Sequence, residues 1–212
     1  MVLYWFARLI LSRTAQVIWR IKVVGADRLP ATGGYVFAPS HRSMIDIPLV
    51  GLVTPRRVRF MGKAPLFRIP VLSSLFRALG GFPVERDGND RKAVRDSVAM
   101  LESGDVLAVF PEGTRQNGPK IQPLQPGAAY LAFRAGVPIV PLGMAGSEEI
   151  MRSRKHRFFP GFASVVIVVG EPVIPPERTT SSVPRASVDM VTARLADDLQ
   201  VAFDEAYRLR DA

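Results

Sequence analysis

Residues 34–52 read GYVFAPSHRSMIDIPLVGL. Gly34 to Ala38 is apolar and rich in β-forming residues, the pattern of a short buried strand, and Ile45 to Leu52 reads as a helix. A strand that passes through a short polar turn into a helix is the repeating unit of α/β domains. The same alternation extends in both directions. Strands are expected at Ile21 to Val24, Gly34 to Ala38, Val58 to Gly62, Phe82 to Glu85, Val106 to Phe110, Val137 to Leu142 and Ser164 to Val169. Helices are expected at Ile45 to Leu52, Val71 to Leu79, Asn89 to Glu102, Gly127 to Ala135 and Pro184 to Leu209. In the helix from Asn89, Ala93, Val94, Val98 and Leu101 share one face, and Gly104 is placed to stop it. The last helix repeats Val188, Val191, Leu195, Leu199, Ala202 and Ala206 against a charged opposite face. The expected architecture is a single α/β domain over 21–212, a central mixed sheet flanked by helices, preceded by an amphipathic helix at 1–20.

The 212 residues suffice for one ordinary domain, and 48% hydrophobic against 22% charged residues excludes a disordered or fibrous chain. With no cysteine and two histidines, the chain has no thiol nucleophile, no disulfide framework, no thiolate zinc site and little from which to build a histidine metal site. Chemistry must rest on oxygen, nitrogen and charge. The net charge of +9 points to an anionic partner, and its distribution narrows the choice. Residues 1–84 carry 12 Lys or Arg against Asp27 and Asp46, whereas the remainder is nearly neutral. The basic part is also the most apolar part. That combination suits a lipid surface better than nucleic acid, which no motif supports.

Met1 to Arg20 mixes Leu3, Tyr4, Trp5, Phe6, Leu9, Ile10, Val17, Ile18 and Trp19 with Arg8, Arg13 and Arg20. The apolar runs are too short to span a bilayer, and the segment lacks the layout of a secretory signal. Two readings fit. The helix lies in the headgroup region with its arginines on lipid phosphates, or it packs on the domain's own core. Ala64 to Leu79 is a second apolar, acid-free segment, with Arg56, Arg57 and Arg59 just upstream.

Two clusters carry chemistry. In the first, His41 and Asp46 lie five residues apart across a turn into a helix, so the carboxylate can hold one ring nitrogen and leave the other as a base. With an ordinary pKa near 6.5, a histidine so held can take the proton of an attacking hydroxyl, an effect worth ~10²- to 10⁴-fold. In the second, Phe110-Pro111-Glu112-Gly113-Thr114-Arg115 follows an apolar strand. Its glycine gives backbone N–H groups room to approach an anion, and its arginine offers a bidentate fork to phosphate. Glu112 is odd in an anion site; it accepts from a hydroxyl of the ligand or holds Arg115. Gly80 to Arg86 brings another arginine to a strand end, and Val137 to Pro141 is wholly apolar.

These segments, in this order, resemble the four blocks of the glycerolipid acyltransferases typified by 1-acylglycerol-3-phosphate (lysophosphatidic acid) acyltransferase: H-x-x-x-x-D at His41 to Asp46, the glycine-to-arginine block at Gly80 to Arg86, F-P-E-G-T-R at Phe110 to Arg115, and V-P-I-V-P at Val137 to Pro141. The resemblance implies an enzyme that moves an acyl group from acyl-CoA or acyl-carrier-protein, as substrate, to the free hydroxyl of lysophosphatidic acid. It implies no resident cofactor and no metal. By the same likeness His41 is the general base and Asp46 its partner; Arg86, Glu112, Gly113, Thr114 and Arg115 contact the acceptor phosphate and glycerol; Pro138 shapes the pocket. Work on the cytoplasmic face of the cell membrane, peripheral or monotopic and among membrane lipids, is expected with it. The chain departs from the family at Ser40, where relatives often have Asn and where a serine can still cap the helix, at Gln116, where serine is usual, at Ala64-Pro65 after Lys63, and at Gln125. Glycerol 3-phosphate, a lysophospholipid or a glycolipid remain alternative acceptors, and a noncatalytic lipid-binding module, which would bind vesicles without consuming thioester, is the alternative to an enzyme.

Overall fold

The computed structural model describes residues 17–69, 73–74, 76–77, 80–84, 91–150, 163–177 and 182–212. Seven strands among them form one sheet: β1 (Lys22–Val24), β2 (Tyr35–Pro39), β3 (Val58–Lys63), β4 (Gly81–Val84), β5 (Val106–Ala108), β6 (Ile139–Ala145) and β7 (Val166–Val169). Their spatial order is β1-β7-β6-β2-β5-β3-β4. The five strands β6, β2, β5, β3 and β4 run parallel, while β7 is antiparallel to β6 and carries β1 parallel to itself. The sheet is therefore mixed, and five carboxyl ends open on one edge.

All five residues of β2, all seven of β6 and all four of β7 are buried, as expected for strands covered on both faces. Alternation along β2 divides the core. Tyr35 and Phe37 pack with Leu49, Val50, Val58, Val140 and Ile167 on one face; Val36 and Ala38 pack with Leu101, Leu107, Ala132 and Leu195 on the other. The first face is covered by the short helix α1 (Asp46–Val50). The second is covered by α2 (Arg91–Glu102), α3 (Gly127–Ala135) and the long α5 (Arg185–Asp211). A further short helix, α4 (Ser147–Ile150), follows β6 and has no counterpart in the sequence reading. Two layers come very close at Gly143, where a Cβ would lie within 2.1 Å of the Ala202 backbone in α5. Only a residue without a side chain lets that helix lie so near the sheet.

Pro141 is unusual within an interior strand, since it has no N–H to donate. It is tolerated because the ladder with β7 stops one residue short of it, Val169 pairing with Leu142, and its carbonyl still accepts from Gly170 N at 2.9 Å. The adjoining Pro138 carbonyl accepts from Val36 N at 2.9 Å.

Of the expected N-terminal helix, residues 17–19 are helical; Trp19 packs against the first core cluster and its carbonyl accepts from Val165 N at 3.1 Å. Residues 1–16 lie outside the described residues, as do most of the expected helix Val71 to Leu79 and all of 151–162. Among the described residues no helix is long and apolar enough to cross a membrane.

Candidate active site

At the carboxyl end of β2 the chain is pinned before it turns. Ser40 N donates to Leu142 O at 2.9 Å, and Ser40 Oγ accepts from Met144 N at 3.1 Å. This corrects the expectation of a capping serine: the hydroxyl is tied to β6, and the residue preceding α1 is Ile45, which makes no side-chain cap. The cap comes from inside the helix. Asp46, in its first turn and fully buried, reaches back so that Oδ2 accepts from Arg42 N and Ser43 N, both at 2.7 Å, and contacts His41 Nδ1 at 2.9 Å. Backbone donors thus fix the carboxylate, and the carboxylate orients the imidazole. Only Nε2 is left to exchange a proton with a ligand. The ring of His41 lies against Phe110, with centroids 4.1 Å apart, at the end of the neighbouring strand β5.

The segment after β5 closes on the same histidine. Glu112 Oε1 accepts from His41 N at 3.0 Å, and Gln116 N donates to His41 O at 2.8 Å. Both peptide groups of His41 are therefore satisfied by the loop that contains Gly113, Thr114 and Arg115. Gly113 has φ +72°, the left-handed region that favours glycine, and Gly113 N donates to Phe110 O at 3.1 Å, making the turn tight. The turn leaves Gly113, Thr114 and Arg115 exposed in the loop that binds the His41 backbone, and Gln116 Nε2 donates to Thr114 Oγ1 at 3.1 Å.

Glu112 itself is only 4% exposed. It does not hold Arg115, and its oxygens are not free for a ligand hydroxyl. Arg42 Nη1 donates to Oε1 at 2.8 Å and to Oε2 at 3.1 Å, and Gln122 N donates to Oε2 at 3.1 Å. The physical reason is burial: a carboxylate taken from water needs a cation and hydrogen bonds, and Arg42 supplies both. Arg42 is the site residue the sequence reading missed, although an acid in an otherwise cationic loop was the clue that a buried base had to answer it.

One other expectation comes out differently, and one falls outside the described residues. Pro138 precedes β6 at the amino edge of the sheet, beside Tyr35 in register. At ~3.3 Å per residue that is about 13 Å from the end of β2 at Pro39, so it lies away from a pocket at His41. Arg86 lies outside the described residues. Near the ends of β3 and β4, Phe67 and Phe76 pack with ring centroids 5.8 Å apart, Arg77 lies over Phe67, and Ile69 is half exposed, while Met44 and Ile47 expose apolar surface next to the His41 turn. On the β6 side of the same edge, a cavity of about 440 Å³ is bounded by Arg42, Gln116 to Pro119, Glu148, Phe203 and Tyr207.

The sheet edge, with a carboxylate-held imidazole and an arginine turn folded onto it, has counterparts in known proteins. A model of the acyltransferase family matches residues 20–145. A 1-acyl-sn-glycerol-3-phosphate acyltransferase of Bacillus subtilis is 29% identical over 154 residues, 72% of this chain and 73% of that protein. The human 1-acyl-sn-glycerol-3-phosphate acyltransferase alpha is 30% identical over 183 residues, 81% of this chain and 61% of that protein. The crystal structure of the 1-acyl-sn-glycerophosphate acyltransferase PlsC from Thermotoga maritima superposes with a TM-score of 0.70 at 25% identity, covering 93% of this chain and 79% of that one. The match takes in β1 to β6 and with them the histidine turn and the arginine loop, so this chain belongs to the acyltransferase family.

Proposed function

We propose that this acyltransferase moves a fatty acyl group from acyl-CoA or acyl-carrier-protein to the free hydroxyl of 1-acylglycerol-3-phosphate, giving phosphatidic acid. The observation that carries the proposal is the hydrogen bond from Gln116 N to His41 O, which places the arginine turn one residue from the base. His41 takes the hydroxyl proton on Nε2 as the acceptor oxygen attacks the thioester carbonyl. Asp46 stabilises the imidazolium that forms. The tetrahedral intermediate collapses by breaking the C–S bond, and the thiolate leaves with the proton returned from His41. Arg115, on the exposed turn with Gly113 and Thr114, holds the acceptor phosphate and excludes acceptors that lack it. The names of the matched relatives support the acceptor.

The acyl chain takes the apolar surface of the segment that carries Phe67 and Ile69, and the basic, apolar first 84 residues hold the protein on the cytoplasmic face of the cell membrane. Purified chain supplied with acyl-CoA and lysophosphatidic acid is expected to release free thiol only when acceptor is present, with phosphatidic acid identified by mass spectrometry. Failure to acylate a glycerophosphate acceptor from either type of donor, or undiminished turnover in His41→Ala, overturns the proposal.

A further inference from the structure

The ion pair between Arg42 and Glu112 is almost wholly buried, with side-chain exposures of 2% and 0%. Burial of such a pair is a weak source of stability, because desolvation offsets most of the attraction. What the pair does supply is geometry. Arg42 Nη1 reaches both Glu112 oxygens and the carbonyl of His41 at 3.2 Å; Nη2 reaches Lys120 O at 3.2 Å; the guanidinium plane lies 4.6 Å from the Phe203 ring centroid. Glu112 in turn accepts from His41 N and Gln122 N. One fork therefore joins the histidine turn to both ends of the 112–122 loop, which α5 also steadies through Gln200 Oε1, the acceptor for Ile121 N at 2.8 Å.

We infer that Arg42 and Glu112 are positioning residues whose buried pair holds the 112–122 loop against the backbone of His41, and so sets where Arg115 meets the acceptor phosphate relative to the base. The inference rests on the acyl-transfer reading above. It gives Glu112 a role other than substrate contact. It also explains why the cation is arginine: a lysine ammonium has no planar fork with which to engage a carboxylate and two carbonyls at once.

The test uses Arg42→Lys, Glu112→Gln and the double variant, each checked for folding by circular dichroism. In Glu112→Gln the carboxamide NH2 must face a donor whichever way it turns, since each carboxylate oxygen receives a backbone N–H as well as Arg42. Each variant is expected to lower kcat and raise the KM for lysophosphatidic acid by about tenfold each, with the KM for acyl-CoA within about twofold of the parent. The double variant is expected to be no worse than the weaker single one by more than about threefold, because the two residues act as a unit. Hydrogen exchange at the His41 and Gln122 amides is expected to accelerate about tenfold in Glu112→Gln, a readout independent of activity. Kinetic constants equal to the parent's overturn the inference. So does a parallel rise in both KM values, the mark of general loosening. An inactive parent would sink the acyl-transfer reading, whereas unchanged amide protection in folded Glu112→Gln would sink the buried clasp by itself.

Discussion

Replacing Asp46 by Asn tests the proposed catalytic geometry most directly. In the parent, one oxygen of a fully buried carboxylate serves three donors: two backbone N–H groups and His41. Asparagine preserves the volume, and its carbonyl oxygen can occupy the Oδ2 position and accept from all three. The amide NH2 then takes the place of Oδ1, which has no hydrogen-bond partner. The hydrogen bonds survive as neutral ones and the negative charge facing the imidazole is lost. Hydrogen bonds to charged groups contribute about 1.5–3 kcal/mol, roughly twice a neutral one. For the two backbone donors the net loss is about 1–3 kcal/mol of stability, or a fall in Tm of about 2–10 °C for a chain of this size. For His41 the loss falls on the transition state, where the imidazolium forms. There about 1.5–3 kcal/mol corresponds to a decrease in kcat of about 10- to 150-fold. Steady-state turnover of acyl-CoA with lysophosphatidic acid, beside a thermal melt at the same pH, separates the two effects. A folded Asp46→Asn enzyme with kcat within about twofold of the parent refutes the reasoning and leaves the His41 to Asp46 contact a purely structural one.

Arg115→Ala is expected to raise the acceptor KM by about 10- to 100-fold, the worth of a lost charged hydrogen bond, with kcat far less affected; a fall in kcat at unchanged KM contradicts a phosphate-holding role. Gly143→Ala forces a methyl into the Ala202 backbone and should cost about 3 kcal/mol or more, seen as a loss of at least about 6 °C in Tm. An unaltered melt would mean that α5 does not press on β6 at that point. Burial, and after it the hydrogen bond to Glu148 and the negative charge there, push the Tyr207 hydroxyl well above its ordinary pKa. The folded chain then keeps this proton to higher pH than the unfolded chain, so its stabilising contribution is complete below about pH 10 and is lost as pH rises beyond that. Tyr207→Phe should flatten part of the fall in Tm above pH 10, and an identical slope in parent and variant would count against the raised pKa.

All seven strands were legible in the sequence because each is a short apolar run rich in β-forming residues and bounded by turn residues. Boundaries were less so. The strand expected to reach Phe110 has its last ladder bond at Val109 N, 2.9 Å from Phe37 O, after which Phe110 turns its ring onto His41. The pairing of His41 with Asp46 was legible because the two lie five residues apart across one turn, near enough for the carboxylate to reach the ring. Glu112 was legible as an anomaly but its partner was not. Arg42 lies 70 positions away, and only the pairing of β2 with β5 puts the two side by side.

What the sequence by itself determined is the local content: alternating apolar segments that build a two-faced sheet, a basic first part, and a histidine and carboxylate held at hydrogen-bonding reach by a single turn. What only the tertiary structure decided is which distant segments share the edge where that histidine points. Parallel pairing of β2, β5 and β6 delivers the arginine loop to His41 and removes Pro138 to the opposite edge, although both belong to equally distinctive apolar or polar blocks. The physical reason is that side-chain periodicity specifies which face of a strand is buried, whereas strand order and direction are set by the crossovers and the packing of whole layers, which a linear pattern does not encode.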